Sequence, residues 1–369
     1  MIDNDAALDE LQQKVWDGRR VDRAEAMPLY RLPLVELGLL ANRRRQLSKA
    51  NAYDGRGNQI VTYLVDRNVN YTNICDVHCK FCAFCRREGD SDAYVITPEE
   101  MDRKIEETVA LGGTQILLQG GHHPTLPLSW YLDLMGRIKA KFPHINIHGF
   151  SPPEFVHFRR VFRLPLDEIL RQFRAAGLGS IPGGGAEILV DPVRQQISPR
   201  KAMTNDWFEV MDVAHRMGFR SSATMMFGHI ETVEDRIEHL DRLRQQQDRT
   251  GGFTAFIGWT FQPENTRLGI PGAGGCDYLR TQALARIYLD NIENVQSSWV
   301  TQGPEIGQVA LKFGANDLGS IMIEENVVAQ AGATFRMTTD DMHRLIRDLG
   351  YEPRQRDHWY RLVQRIGRG

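Results

Sequence analysis

From about residue 55 onward the chain keeps switching its hydrophobic period. Short apolar stretches rich in β-branched and aromatic residues alternate with longer ones whose apolar residues recur every three or four positions. The short stretches cover residues 63–73, 114–119, 145–150, 178–182, 221–227, 253–261, 295–300 and 320–323. Amphipathic helices are predicted between them. Thr97 to Glu100 reads as a capping box with Pro98 at the first helical position, ahead of Met101, Ile105 and Val109 on one face. Tyr131, Leu134, Ile138 and Phe142 mark the next helix, and Ile169 and Phe173 mark another, closed by Gly177. Strands joined through helices pair in parallel, because a parallel neighbour is reached only by a long crossover. Eight such units predict an α/β fold, a closed (β/α)8 barrel of the TIM type, in preference to an open six-unit barrel. Residues 1–55 read as an N-terminal helical cap, with Leu8, Leu11 and Val15 on one face. Residues 56–340 are assigned to the barrel and 341–369 to a C-terminal helical tail.

Chemistry in such a barrel belongs at the C-terminal ends of the strands. The first strand runs into Cys75, Cys79 and Cys82, spaced C-x3-C-x2-C. Three thiolates on one loop can hold three irons of a [4Fe–4S] cube and leave the fourth iron open to a small molecule. Zinc is the competing reading. Structural zinc takes four closed ligands, usually as two pairs, and only His78 and Cys85 stand nearby. Plain thiols are the third. A disulfide is disfavoured by sparse usage, five cysteines in 369 residues, and by an acidic N-terminus without a leader pattern. With 42% hydrophobic residues, a net charge of −2 and no apolar run near the roughly 20 residues of a membrane span, the expectation is a cytoplasmic globular protein that binds no nucleic acid and has no membrane span.

The other strand ends carry further candidates. Gly120 and Gly121 allow backbone to approach a ligand closely, and His122 and His123 follow them. Pro152 and Pro153 stiffen the exit of the third strand and hold Ser151 and Glu154. Gly183, Gly184 and Gly185 precede Glu187, which suits a sugar with a carboxylate on its hydroxyls; phosphate-loop patterns are absent. Met226 and Phe227 close the fifth strand, with His229 and Glu231 beyond as possible proton carriers, and Thr260 and Gln262 close the sixth. An ordinary core or turn role is the alternative at each of these positions.

The cysteine loop, with Phe81 before its last cysteine, resembles the signature of the radical S-adenosylmethionine (SAM) superfamily. Residues 66–75 and 82–84, the segment from His148 to Glu154, Pro182 to Glu187, and Gly314 to Asp317 resemble one subgroup of it. That subgroup holds the menaquinone futalosine-pathway enzymes and the deazaflavin (FO) synthase subunits, and the likeness covers residues 55 to 340 or so. It implies that Cys75, Cys79 and Cys82 bind a [4Fe–4S] cluster and that SAM chelates the open iron. Phe81, Gly120, Gly121, Ser151, Glu187 and Met226 would then hold SAM. The cyclase branch resembles the chain most, which implies hydrogen abstraction from the ribose of dehypoxanthine futalosine at C4′, ring closure onto its benzoate, and loss of an electron and a proton. Such a reaction needs a reducing electron donor such as flavodoxin or ferredoxin. His122, His123 and His229 are the candidates for a base or a carboxylate clamp. The sister aminofutalosine and FO synthase reactions are the alternatives; a non-catalytic metal or electron-transfer protein is the remote one. Where the family commonly has an aromatic the chain has Cys85, expected to point away from the cluster. Cys276 is expected on a solvent-side loop.

Overall fold

The computed structural model describes residues 2–364. Its strands are β1 (Ile60–Leu64), β2 (Asp66–Asn70), β3 (Gln115–Gln119), β4 (Asn146–Gly149), β5 (Leu178–Ser180), β6 (Ser221–Phe227), β7 (Phe253–Thr260), β8 (Asn294–Gln296), β9 (Asp317–Ser320) and β10 (Glu352–Gln355). β1 and β2 are one stave, interrupted at Val65. Parallel ladders run from β2 through β3 and β4 to β5, and from β6 through β7, β8 and β9 to β1. A parallel bridge between Ile181 and Ser221 joins the two sheets. Eight parallel staves therefore close into the expected barrel, wrapped by helices that return the chain from top to bottom.

Local chemistry sets the helix ends. The Thr97 hydroxyl accepts from Glu100 N–H at 3.2 Å, with Pro98 opening the helix Pro98–Ala110. Only this half of the expected box forms, because the Glu100 carboxylate faces Lys104 and Arg103 instead. Thr232 and Asp235 make a full box ahead of the helix Val233–Thr250. Gly177 ends the helix Leu166–Ala176 with φ near +112°, a conformation that L residues with a side chain rarely hold.

Two expectations are corrected. The N-terminal segment is helical (Ile2–Trp16, Arg23–Tyr30 and Leu34–Lys49) but packs along the barrel's flank, on the helices Val233–Thr250 and Gly275–Tyr288. Arg20 reaches Asp248 and Asp290 there, and Tyr30 donates to Asp277 at 2.7 Å. The described part of the C-terminal segment is helical only at its start. After the helix Thr339–Asp348 it turns into β10, which lies parallel to β1 with Ile60 opposite Glu352 and Tyr63 opposite Gln355. Beyond β10, Arg356, His358 and Tyr360 cross beneath the barrel. Arg356 grips Asp317 through two nitrogens at 2.7 and 2.9 Å, and the His358 ring lies 4.3 Å from that of His148. Among the described residues no helix is long and apolar enough to cross a membrane.

Candidate active site at the barrel mouth

The barrel interior is a cavity of about 280 Å³, floored by Arg356, His358 and Tyr360. Side chains alternate along each strand, so every second residue points inward. Polar side chains stand among them, namely Asp66 and Asn68, Gln115 and Gln119, His148, Ser222 and Thr224, and Gln296, interspersed with apolar ones such as Leu64, Leu117, Ile257 and Trp259. Asp66 accepts from Gln115 at 2.7 Å and from the Ser320 hydroxyl, while burial pushes its carboxyl above the ordinary range. Glu325, on the loop after β9, accepts from Asn68 at 2.9 Å and from Val327 and Val328 N–H at 2.6 and 3.0 Å. The upper rim is formed by Gln119, Pro182 and Gly184, next to the segments that carry Gly120 and Glu187.

The cysteine loop crosses this rim. Cys79 is buried, and Cys75 and Cys82 are half-buried. The three thiols lie close enough to influence one another's ionisation, with burial pushing that of Cys79 up to about 12. A cluster would convert this loose thiol group into bound thiolates. Cys85 does not point away. Its thiol donates to the Cys75 carbonyl at 3.4 Å and lies 3.2 Å from His78 Nδ1, and its proximity holds the Cys75 thiol below its ordinary range. The loop turns back on itself there, which brings the fourth sulfur beside the first. Cys276 is exposed, as expected, but in the first turn of a helix.

Glu187 anchors the opposite side. Its backbone sits in the left-handed region, φ near +41°. His78, Phe150 and Met322 share that region, and all four lie in loops beyond strand C-termini, the usual location of strain held for function. One Glu187 oxygen accepts from Lys201 Nζ at 2.6 Å; the other, Oε2, is buried without a partner. Burial opposes the Lys201 charge, but Glu187 and the nearby Cys79 more than restore it, so its pKa is raised. The ammonium also stands over the Phe81 ring, 5.3 Å from its centre. The spacing of the cysteines did not reveal Lys201. An orphaned carboxylate oxygen is what a sugar hydroxyl would satisfy, and an ammonium beside the thiols suits an anionic cluster or a carboxylate ligand. These residues fit the cofactor pair expected from the sequence.

Other candidates have different duties. A Cβ on Gly121 would stand 2.1 Å from the Ile74 carbonyl, and one on Gly120 would stand 2.7 Å from the Tyr71 ring, so both glycines admit the cysteine loop itself. Ser151 caps the helix Pro152–Phe162 and donates to Glu154 at 2.7 Å. Glu154 also takes hydrogen bonds from Tyr71, Gly120 and Ser151 N–H, yet burial raises it to about 7. Met226 is buried and shares the inward face of β6 with Ser222 and Thr224, while its N–H donates to the Glu187 carbonyl at 3.0 Å. Thr260 lies on the outward side of Trp259 and accepts from Gln302 at 2.6 Å. The three histidines are dispersed. The His122 ring lies tilted against that of His157, 4.9 Å between centres, behind the cysteine loop; His123 Nδ1 accepts from Thr125 and Leu126 N–H; the His229 side chain is buried beside Glu231. None of them lines the barrel cavity.

A parallel barrel with polar side chains set into its interior and three thiols at its mouth defines a class: enzymes that do cofactor chemistry at the C-terminal ends of barrel strands. The description Radical SAM superfamily matches residues 69–243, and CofH/MqnC C-terminal region matches residues 250–367. Cyclic dehypoxanthine futalosine synthase of Halalkalibacterium halodurans is 42% identical over 97% of this chain and 95% of its own, and that of Streptomyces coelicolor is 43% identical over 96% and 88%. The 5-amino-6-(D-ribitylamino)uracil–L-tyrosine 4-hydroxyphenyl transferase of Methanothermobacter thermautotrophicus is 41% identical over 83% and 86%. The hydrogenase maturase HydG of Carboxydothermus hydrogenoformans shares the fold, with a TM-score of 0.73 at 14% identity over 97% of this chain and 82% of that one. The chain belongs to the radical SAM superfamily, in the family of CofH/MqnC enzymes.

Proposed function

We propose that this radical SAM enzyme cyclises dehypoxanthine futalosine in menaquinone biosynthesis. The observation that carries the reading is the likeness to two cyclic dehypoxanthine futalosine synthases along almost the whole chain. Cys75, Cys79 and Cys82 would hold a [4Fe–4S] cluster, which with SAM supplies a radical able to take hydrogen from carbon. Lys201 and Glu187 would steady the carboxylate and ribose of SAM, and Phe81 would pack beside it. A flavodoxin or ferredoxin would supply the electron.

The chain's own residues then position the substrate and keep water out. A nucleoside-like ribose suits Asn68, Gln119 and Gln296; an aromatic ring suits Trp259. Arg356 closes the floor, which protects a radical from solvent hydrogen donors. The proton that leaves the new ring needs an acceptor within reach. His122, His123 and His229 stand outside the cavity wall, so that role is assigned here to Glu325 at its upper end.

The test is an anaerobic substrate panel, with SAM, dithionite and the reconstituted enzyme followed by mass spectrometry. Dehypoxanthine futalosine should give a product two hydrogens lighter together with 5′-deoxyadenosine. Consumption of tyrosine with the ribitylaminouracil instead would move the chain to the transferase branch. Glu325→Gln should still cleave SAM on adding substrate but release little cyclised product; full product release would remove Glu325 from the mechanism.

A further inference from the structure

Behind the cysteine loop, away from the cavity, lies a second group of ligating side chains. Asp76, His122 and His157 each offer one atom, and the three atoms lie within 4.8 Å of one another. They come from three elements: the cysteine loop, the loop after β3, and the helix Pro152–Phe162. The chemistry of each atom points to a cation. Asp76 Oδ1 is buried and has no hydrogen-bond partner. His122 is buried, with only 8% of its surface exposed, and no hydrogen bond to its ring is present among the described residues. His157 Nε2 stands 2.9 Å from the His123 carbonyl, so that nitrogen carries the hydrogen and Nδ1 is the lone-pair side. A ligating histidine steadied through its other nitrogen by a carbonyl is the usual outer-shell arrangement at metal sites.

A cation already bridges two of the three. Arg160 Nη2 is 2.7 Å from Asp76 Oδ2 and 3.0 Å from His157 Nδ1. Its side chain is 63% exposed, so it can swing into water at little cost. The other positive group facing His122 is Lys201, which Glu187 pairs. We propose that Asp76, His122 and His157 bind a divalent transition-metal ion of the zinc class, which displaces Arg160 and clamps the cysteine loop to the helix Pro152–Phe162. Two imidazoles and one carboxylate suit zinc, with water completing the shell. The thiols are not part of this site.

The cluster-loaded enzyme, washed with chelator, is equilibrated anaerobically with zinc and analysed by elemental analysis, zinc-edge X-ray absorption and thermal melting. One zinc per chain is expected beside the cluster iron, with nitrogen and oxygen scatterers at about 2.0–2.1 Å, no sulfur at about 2.3 Å, and a raised melting temperature. Asp76→Asn and His157→Gln should each weaken binding at least about tenfold, a loss of about 1.4 kcal/mol. Arg160→Gln, an exposed change that leaves the fold alone, should tighten it by removing the competing guanidinium. Failure of the wild type to retain zinc, sulfur in the shell, or an Arg160→Gln variant that binds no better would overturn the proposal. None of these readouts depends on which nucleoside the enzyme cyclises.

Discussion

Glu187 concentrates the account at the scale of one residue. A left-handed backbone and an unsatisfied buried oxygen are two costs at one position, and a protein retains such costs where a ligand offsets them. Glu187→Gln should therefore raise the dissociation constant for SAM by about tenfold to a hundredfold, the worth of one charge-assisted hydrogen bond. The cluster's visible absorbance should not change; equilibrium dialysis and spectroscopy read the two separately. Glu154, fully buried under the cysteine loop, gives a pH signature. Its folded pKa is raised to about 7 from an ordinary value of 4.5. For an acid raised on folding, the contribution to stability is complete below pH 4.5 and lost as pH rises toward 7. Between pH 5 and pH 8 the wild type should lose about 2 kcal/mol that Glu154→Gln does not lose. Urea titrations of both proteins at the two pH values measure this, and parallel losses would contradict it.

Elements were legible where period and punctuation agreed. Residues 221–227 are the strand β6 that the short apolar stretch predicted, and Gly177 ends its helix as its type requires. β10 escaped because Glu352, Pro353, Arg354 and Gln355 carry no apolar alternation; the segment is a strand only because β1 offers it a free edge. The same limit hid Lys201, whose partner lies 14 residues away. The inward polar side chains were readable in principle, since Asp66, Asn68, Gln115 and Gln119 sit at alternate strand positions. Gly120 and Gly121 were legible as glycines with a purpose, but that purpose is to admit Tyr71 and Ile74. Gly121→Ala should push the cysteine loop outward. The expected result is iron incorporation reduced to a small fraction of wild type with an unchanged far-ultraviolet circular dichroism spectrum. Normal iron content would show that the loop yields without harm.

At the scale of the molecule, the barrel is a vessel with a mouth for radical generation and a floor made by the chain's own C-terminal segment. Arg356 and Asp317 form its buried latch. Arg356→Met leaves the Asp317 carboxylate buried and unpaired, which should cost about 3–5 kcal/mol in thermal or denaturant unfolding; pairing it with Asp317→Asn should recover much of that loss. A double variant as unstable as the single one would deny the latch. On the proposed function, this vessel holds dehypoxanthine futalosine so that a ribose hydrogen is the one taken. The most direct measurement is an anaerobic turnover with substrate deuterated at C4′, followed by mass spectrometry of 5′-deoxyadenosine. One deuterium in the 5′-deoxyadenosine and a cyclised product are expected. Unlabelled 5′-deoxyadenosine, or turnover only when tyrosine is supplied, would contradict it.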